Sequence, residues 1–240
     1  MWRNTRMVAL VGLSAAMYAA GIVVLRSPPP LYTMFVGQLI LMPLCLLFGP
    51  AGAWGAVFGS VVSDIVTGNL QIGTLVGCFG NLVLGSLPYL LWSRLRPLAR
   101  GNRELTLKGI REYLSYGVIA ASSAFATAIV IAWPMNALGL VPFRFLLLLI
   151  GVQDAAVRVL SIVLLASIYS RIRPLGLVWW ELLENSELDD PRRWTGVLGA
   201  WLTVAAAMVF FFLGALNSKM GPAAAGIATL LITIALVLMW

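Results

Sequence analysis

The stretch from Phe48 to Trp92, FGPAGAWGAVFGSVVSDIVTGNLQIGTLVGCFGNLVLGSLPYLLW, decides which fold this chain can adopt. It is apolar enough to lie in a membrane, yet glycines recur in two groups three to five residues apart: Gly49, Gly52, Gly55 and Gly59, then Gly73, Gly77, Gly80 and Gly85. Glycines at such spacing on a membrane helix form a groove that lets another backbone approach closely. The stretch therefore predicts two tightly packed helices joined by a polar corner, Thr67 to Gln71. In the alternative interpretation the glycines only pack, and the corner is only a solvated loop.

The composition of the whole chain places it in a membrane. Of its 240 residues, 61% are hydrophobic and 10% are charged, and the mean hydropathy is +0.96, outside the range of ordinary soluble domains. Its apolar segments are each close to the roughly 20 residues that a helix needs to cross a bilayer. We therefore expect an all-α, polytopic membrane helix bundle with about eight spans. The expected spans are Met7–Leu25, Leu31–Phe48, Ala51–Val66, Ile72–Trp92, Tyr113–Trp133, Phe143–Tyr169, Thr195–Leu216 and Met220–Trp240.

The basic residues predict the orientation of the bundle. They collect at the amino end and in the polar segments that follow the fourth and sixth spans. Cytoplasmic loops carry an excess of Lys and Arg, so both chain ends are predicted to be cytoplasmic. The polar corner and the loop around Asn136 then face outward. The net charge of +7 is explained by this topology signal, and no nucleic-acid surface is implied.

Several chemical functions are excluded by the residues present. The chain has no histidine, and its two cysteines, Cys45 and Cys78, lie inside apolar spans, so no metal site or cofactor is expected. It also has no G-x-S-x-G elbow, no H-E-x-x-H motif and no P-loop. We therefore expect a protein that is not an enzyme, and any energy from ATP has to come from a partner.

Two opposite charges lie in the middle of the sixth expected span. Asp154 and Arg158 are four residues apart and so share a helix face, and a lone charge at that depth is costly. The first interpretation is a structural ion pair that cancels its own charge. The second is that one of the two, or the neighbouring Gln153, reaches a ligand. Arg144, near the outer end of the same span, is either an interfacial anchor or a residue that binds an anionic group.

Other polar or aromatic residues are predicted to converge on an outward cavity. With Arg144 and Gln153, the candidate ligand residues are Asn69, Gln71, Asn81, Trp133 and Asn136, and Gln38 and Tyr32 are further candidates. Aromatic residues at such positions also occur simply as interfacial belts. In the first span, Ala15, Ala16, Ala19 and Ala20 form a strip of small residues that favours close contact with another helix, in this protein or in a partner.

The alanine strip, the run FGPAGAWGAVFGSVVSDIVTG, the following GNLVLGSLPYLLW and the sixth span QDAAVRVLSIVLLASIYSRIRP resemble the substrate-binding S components of energy-coupling factor (ECF) transporters. The resemblance covers about the first six spans. It implies that the strip Ala15, Ala16, Ala19 and Ala20 docks on a transmembrane coupling protein, and that a small-molecule substrate lies near the outer surface. It further implies uptake of a vitamin or similar micronutrient, driven by two separate ATPase subunits.

Two more spans follow where such subunits usually have six. We therefore expect a six-helix membrane domain over residues 1–174, a cytoplasmic linker over 175–194 and an added transmembrane hairpin over 195–240. A second hypothesis is a membrane sensor or scaffold, in which a similar bundle binds a ligand or lipid and the added spans pass the signal to a partner. A third, an enzyme acting on lipid, lacks a catalytic residue set.

Overall fold

All regular structure in the described part of the chain is helical. The computed structural model describes residues 1–24, 33–95, 98, 103–107, 109–183, 193–217 and 222–239, and no strand occurs among them, which confirms the all-α class. The helices are α1 Thr5–Val24, α2 Thr33–Phe48, α3 Pro50–Val66, α4 Ile72–Arg94, α5 Ile110–Ala137, α6 Phe143–Leu160, α7 Ile162–Ile172, α8 Trp179–Leu182, α9 Trp194–Leu216 and α10 Pro222–Met239, with a 3-10 turn at Arg173–Leu175.

The described helices are consistent with a membrane helix bundle. Five helical segments are long and apolar enough to cross a membrane: Thr5–Val23, Ile72–Arg94, Ile110–Ala137, Ile162–Leu182 and Trp194–Leu216. Three shorter apolar helices accompany them, Gly37–Phe48, Pro50–Val66 and Ala223–Met239. Large apolar side chains such as Leu75, Val163 and Leu216 are exposed on the outside of the bundle, where a bilayer would cover them.

The expected sixth span is divided in two. Ser161 ends α6, and α7 begins at the next residue, so the helix predicted over Phe143–Tyr169 is interrupted. The Ser161 hydroxyl is 2.6 Å from the Tyr116 hydroxyl on α5, and it also donates to the carbonyl of Arg158 at 2.6 Å. A serine that bonds back to the preceding turn competes with the helical hydrogen bonds, which accounts for a break at this residue.

Glycines allow the helix backbones to approach closely, as the spacing predicts. A Cβ on Gly59 would lie 2.7 Å from the Ala15 carbonyl oxygen on α1, and one on Gly85 would lie 2.6 Å from the Cα of Ala53 on α3. Both distances are too short for a real side chain, so a larger residue would push the helices apart. The glycine surfaces of α3 and α4 therefore pack α3 against α1 as well as α4 against α3.

One end of the bundle is filled with buried side chains and is called the dry end here, and the other end contains a cavity. Residues 41–48 of α2 and 83–94 of α4 are buried, and they pack with Met7, Ala51 and Leu95 into the largest hydrophobic cluster. This dry end lies beside the α2–α3 connection. Gly49, with a φ of 53°, forms that connection, and a Cβ on it would lie 2.5 Å from the ring of Trp179 on α8.

The carboxy-terminal helices pack on the bundle. The rings of Phe125 on α5 and Phe211 on α9 are stacked, with centroids 3.8 Å apart and planes 9° from parallel. Phe211 also covers Gly151 of α6, where no Cβ would fit. Residues 184–192 of the expected linker lie outside the described residues. The division into a core, a linker and a hairpin stays a prediction.

Candidate functional site

A cavity of about 360 Å³ lies at the end of the bundle where α1, α3 and α5 end and α2, α4 and α6 begin. All six of these helices contribute to its wall. The lining residues are Tyr18, Ile22, Gln38, Ser60, Ser63, Asp64, Gly73, Thr74, Gly77, Asn81, Leu84, Thr127, Ile131, Ile150 and Asp154. Its volume is within the range of small-molecule sites, which are typically about 300 to 1,000 Å³. The cavity combines apolar walls with a few polar groups, the arrangement that gives a small ligand a defined orientation.

A chain of hydrogen bonds connects the interior to one wall of the cavity. The Arg158 Nη2 donates to Gln38 Oε1 at 3.4 Å, and Gln38 Nε2 donates to the Tyr18 hydroxyl at 3.4 Å. The Tyr18 hydroxyl in turn donates to Asn81 Oδ1 at 3.3 Å. Four helices, α6, α2, α1 and α4, are joined in this way. The network holds Gln38, Tyr18 and Asn81 in place at the cavity wall.

Helices α5 and α6 meet through polar contacts one or two turns apart. Near the end of α6, the Tyr116 hydroxyl bonds Ser161, and further along Arg158 Nη1 donates to Ser123 Oγ at 2.9 Å. Because α5 and α6 run in opposite directions, the next pair of positions at a spacing of four is Thr127 and Asp154. Both line the cavity, and neither Thr127 Oγ1 nor Asp154 Oδ1 has a hydrogen-bond partner among the described residues.

The interpretation of Asp154 and Arg158 as a closed ion pair needs correction. Both side chains are buried, with 1% and 0% of their surface exposed, and they share one face of α6 as predicted. Arg158, however, directs its Nη atoms to Ser123, to Gln38 and, at 3.5 Å, to the carbonyl oxygen of Leu84. No ion pair within 4.0 Å joins the two side chains in the described part of the chain. The physical reason is that α2, α4 and α5 offer Arg158 oxygen acceptors across the helix interface.

Hydrogen bonds next to the polar corner join the two helices that form one side of the cavity. The Thr74 hydroxyl donates to Asp64 Oδ2 at 2.7 Å and accepts from the backbone N–H of Gln71 at 3.3 Å, so it joins α3 to the start of α4. Gly68, with a φ of 69°, allows the sharp reversal between the two helices. Asp64 is half-buried, and it is the second carboxylate in the cavity lining.

Among the described residues that were predicted to bind a ligand, Asn81 and the further candidate Gln38 lie in the cavity wall. Asn69, Gln71 and Arg144 are exposed, and none of the three is in the lining. Gln71 is the residue that precedes the first turn of α4, where its backbone N–H contacts Thr74. The three residues lie at the same end of the bundle as the cavity, but their side chains are exposed on its outside.

The remaining predicted ligand residues have other neighbours. Trp133 lies against α10, since a Cβ on Gly226 would be 3.2 Å from its ring. Asn136 Nδ2 donates to the carbonyl of Val141 at 3.5 Å and thereby spans the α5–α6 connection. Gln153 is half-buried on α6 and is not in the lining. Tyr32 lies outside the described residues.

The alanine strip of α1 is divided between two faces. Ala19 is buried and Ala15 is half-buried against α3, where its carbonyl faces Gly59. Ala16 and Ala20 are exposed on the outside of the bundle. Half of the strip is thus an internal packing surface, and only Ala16 and Ala20 present small residues to a neighbour in the membrane.

Tyr18 and Thr127 were missed by the sequence reasoning. The available signal for Thr127 was its spacing of four from Ser123, which puts two hydroxyls on one face of an otherwise Ala-rich helix. Tyr18 gave no comparable signal, because a tyrosine in an apolar span is as often an interfacial anchor.

In comparisons with protein-family models, curated proteins and solved structures, no match to this chain was found. The geometry of the cavity therefore carries the functional argument. The described residues contain no cluster of three or more His, Cys, Asp or Glu side chains that could hold a metal ion. With its apolar walls and isolated polar groups, the site is suited to binding a small organic molecule.

Proposed function

We propose that this chain is the membrane-embedded substrate-binding subunit of an uptake system for a vitamin or similar micronutrient. It works with a separate transmembrane coupling protein and two ATPase subunits, as ECF transporters do. The observation that carries this proposal is the cavity of about 360 Å³ lined by α1 to α6, all of which lie in the part of the chain that the sequence resemblance covers. The proposed activity is binding without chemical change to the ligand.

The proposed topology has about eight spans, with both chain ends in the cytoplasm of a prokaryotic cell. In that orientation the ends of α1, α3 and α5 face outward, and the cavity between them receives its ligand from outside the cell. The dry end near Leu47 and Leu91, both fully buried, then faces the cytoplasm and closes the way through. Release inward requires a movement of the whole subunit, which the partner proteins would supply.

The exposed face of α1 is the proposed contact with the coupling protein. Ala16 and Ala20 are four residues apart on that face, and Gly12, one turn earlier, has open space where a Cβ would be. Small side chains let two helix backbones approach within a membrane. The chain has no P-loop, so the energy for transport comes from the partners.

One observation favours the second hypothesis, a membrane sensor or scaffold. Helix α9 packs on α5 and α6 through Phe211, next to Phe125 and Gly151, and both α5 and α6 line the cavity. A ligand that shifted α5 or α6 would thus move the carboxy-terminal helices, which could pass the change to a signalling partner.

Co-purification separates the two functions. The tagged full chain is extracted from its own cells in a mild detergent, and the proteins retained with it are identified. We expect two ATPases and a polytopic coupling protein to be retained with the wild-type chain. Both should be lost from an Ala16→Trp, Ala20→Trp double variant. The transport proposal is contradicted if the chain retains a signalling protein. It is also contradicted if the chain purifies alone from cells in which the tagged chain is functional.

A further inference from the structure

Among the residues that the structure describes, two carboxylates and no basic side chain line the cavity. Asp64 and Asp154 are the charged members of the lining, and the other polar members are hydroxyl and amide groups. Arg144, which could have favoured an anionic ligand, is exposed and lies outside the lining. The ionisable side chains that the described lining offers to a ligand are therefore carboxyl groups.

Arg158, the buried cation on the same helix as Asp154, donates its hydrogen bonds to other groups. Its Nη atoms donate to Ser123, Gln38 and the carbonyl of Leu84, and its side chain is fully buried behind the cavity. Asp154, one turn closer to the cavity, receives no hydrogen bond from it. The Oδ1 atom of Asp154 has no partner among the described residues, although only 1% of the side chain is exposed.

A second buried polar atom lies on the facing helix. Thr127, 1% exposed, also has a hydroxyl without a partner among the described residues, and it lines the same cavity. A buried polar group without a hydrogen bond is costly, and a native fold normally satisfies it with a protein group, a water or a ligand. Asp154 and Thr127 are therefore two buried groups in the lining that can hydrogen-bond to a ligand.

The chain of hydrogen bonds from Arg158 to Asn81 determines which donors and acceptors the opposite wall of the cavity offers to a ligand. A guanidinium has donors only, so Gln38 must turn its Oε1 to Arg158 and its Nε2 to the Tyr18 hydroxyl. That hydroxyl then donates to Asn81 Oδ1, which leaves the Asn81 amide nitrogen as the group with spare donors. The cavity thus offers an acceptor at Asp154 and a donor at Asn81.

We propose, on the basis of the proposed function, that the cavity selects a small organic cation whose protonated or electron-poor nitrogen group donates to Asp154. Such a ligand also carries an acceptor for Asn81 and an apolar ring or chain that packs between the aliphatic side chains Ile22, Leu84, Ile131 and Ile150. An anionic micronutrient is rejected, because it would place a negative charge beside Asp154 and Asp64 with no cation in the described lining to offset it.

The test measures thermal stabilisation of the detergent-solubilised full chain by two pairs of probes. Tryptamine and indole-3-propionate share an indole and differ in charge, and thiamine and biotin are a cationic and an anionic micronutrient. Compounds retained by the purified chain are released and identified by mass spectrometry in parallel. We expect stabilisation by the cation of at least one pair, no stabilisation by either anion, and a retained compound that carries a basic or cationic nitrogen.

Three variants, one of them a control, test which residues are responsible for cation binding. Asp154→Asn keeps the shape of the side chain, and it should weaken cation binding roughly tenfold to a hundredfold, the range expected when a charged hydrogen-bond partner is removed. Thr127→Val, of nearly the same volume, should weaken binding less. Asn69→Ala, at an exposed position outside the cavity, is the control and should bind as the wild type does.

The possible results distinguish the two proposals. The charge selection is overturned if an anion stabilises the chain, if the retained compound is an anion, or if a folded Asp154→Asn variant binds the cation as the wild type does. None of these results contradicts the proposal that the chain is a substrate-binding subunit. A chain that retains no compound and responds to none of the four probes contradicts the binding subunit itself, and the charge selection with it.

Discussion

The Nη2 of Arg158 donates a hydrogen bond of 3.4 Å to the Oε1 of Gln38, 120 positions earlier in the chain. This contact ties the inner half of α6 to α2, and through Gln38 it reaches Tyr18 at the cavity wall. A fully buried arginine is thereby a structural support for the site, since its charge is distributed over oxygens from three other helices.

Replacement of Arg158 by methionine should destabilise the protein. The change leaves the acceptors on Ser123, Gln38 and Leu84 without their donor, at a cost of about 1 to 3 kcal/mol for each polar group that stays unsatisfied. The free energy of unfolding is measured by denaturation in mixed detergent micelles. Arg144→Met, the same change at an exposed position of the same helix, is the control. Equal stability of the two variants would contradict the supporting role of Arg158.

Replacement of Gly59 by alanine should destabilise the contact between α1 and α3. The new Cβ would lie 2.7 Å from the Ala15 carbonyl oxygen, and overpacking of this kind typically costs about 1 to 3 kcal/mol. Gly117→Ala is the matched control, since nothing lies within 4 Å of its Cβ position and alanine is the better helix former. Thermal unfolding in detergent should rank the control at or above the wild type and Gly59→Ala below it.

Tryptophan at Ala16 and Ala20 should abolish assembly with the coupling protein and leave ligand binding intact. Both side chains are on the exposed face of α1, so the bulky rings block a neighbouring helix without entering the bundle. Assembly is measured by co-purification, and binding by thermal stabilisation. Val163→Trp, at a 70% exposed position of α7, controls for a general effect of added tryptophan. Survival of assembly in the double variant would place the docking surface elsewhere.

Truncation of Phe211 to alanine should loosen the carboxy-terminal helices. Its ring is 3% exposed and stacks on Phe125, and removal of a buried phenylalanine side chain typically costs about 3 to 5 kcal/mol. Phe212→Ala, at the adjacent and 53% exposed position, removes the same atoms from the outside of the bundle. Limited proteolysis in detergent should cleave the first variant faster than the second. Similar cleavage rates would indicate that α9 is held by other contacts.

Single cysteines placed at the two ends of the bundle should be labelled from opposite sides of the membrane. In a background with Cys45→Ala and Cys78→Ala, Asn69→Cys should react with a membrane-impermeant maleimide on intact cells. Arg103→Cys should react only after permeabilisation, because the basic segment that contains it is predicted to be cytoplasmic. The reverse pattern of labelling would invert the topology and place the cavity on the cytoplasmic side.

The class of the fold and most helix positions followed from the sequence alone. Apolar runs of spanning length and interrupting prolines and glycines are local properties, so they placed α1 to α5 close to their observed bounds, and the spacing of Gly59 and Gly85 correctly indicated close backbone contacts. The break at Ser161 was not foreseen, because a serine that bonds back to the preceding turn also occurs within continuous helices.

The members of the site were decided only by the tertiary structure. Hydropathy places a residue at a depth in the membrane, but it does not say which way the side chain turns, and a rotation of 100° per residue separates neighbours such as Gln153 and Asp154. Asn69 and Arg144 lie at the same end of the bundle as the cavity and yet are exposed outside it, whereas Asn81 lines the cavity. Arg158 was expected to pair with Asp154 on its own helix, the only partner that sequence spacing can reveal. Its observed partners come from α2, α4 and α5, because a buried guanidinium needs several acceptors in different directions, and only packing of separate helices can supply them.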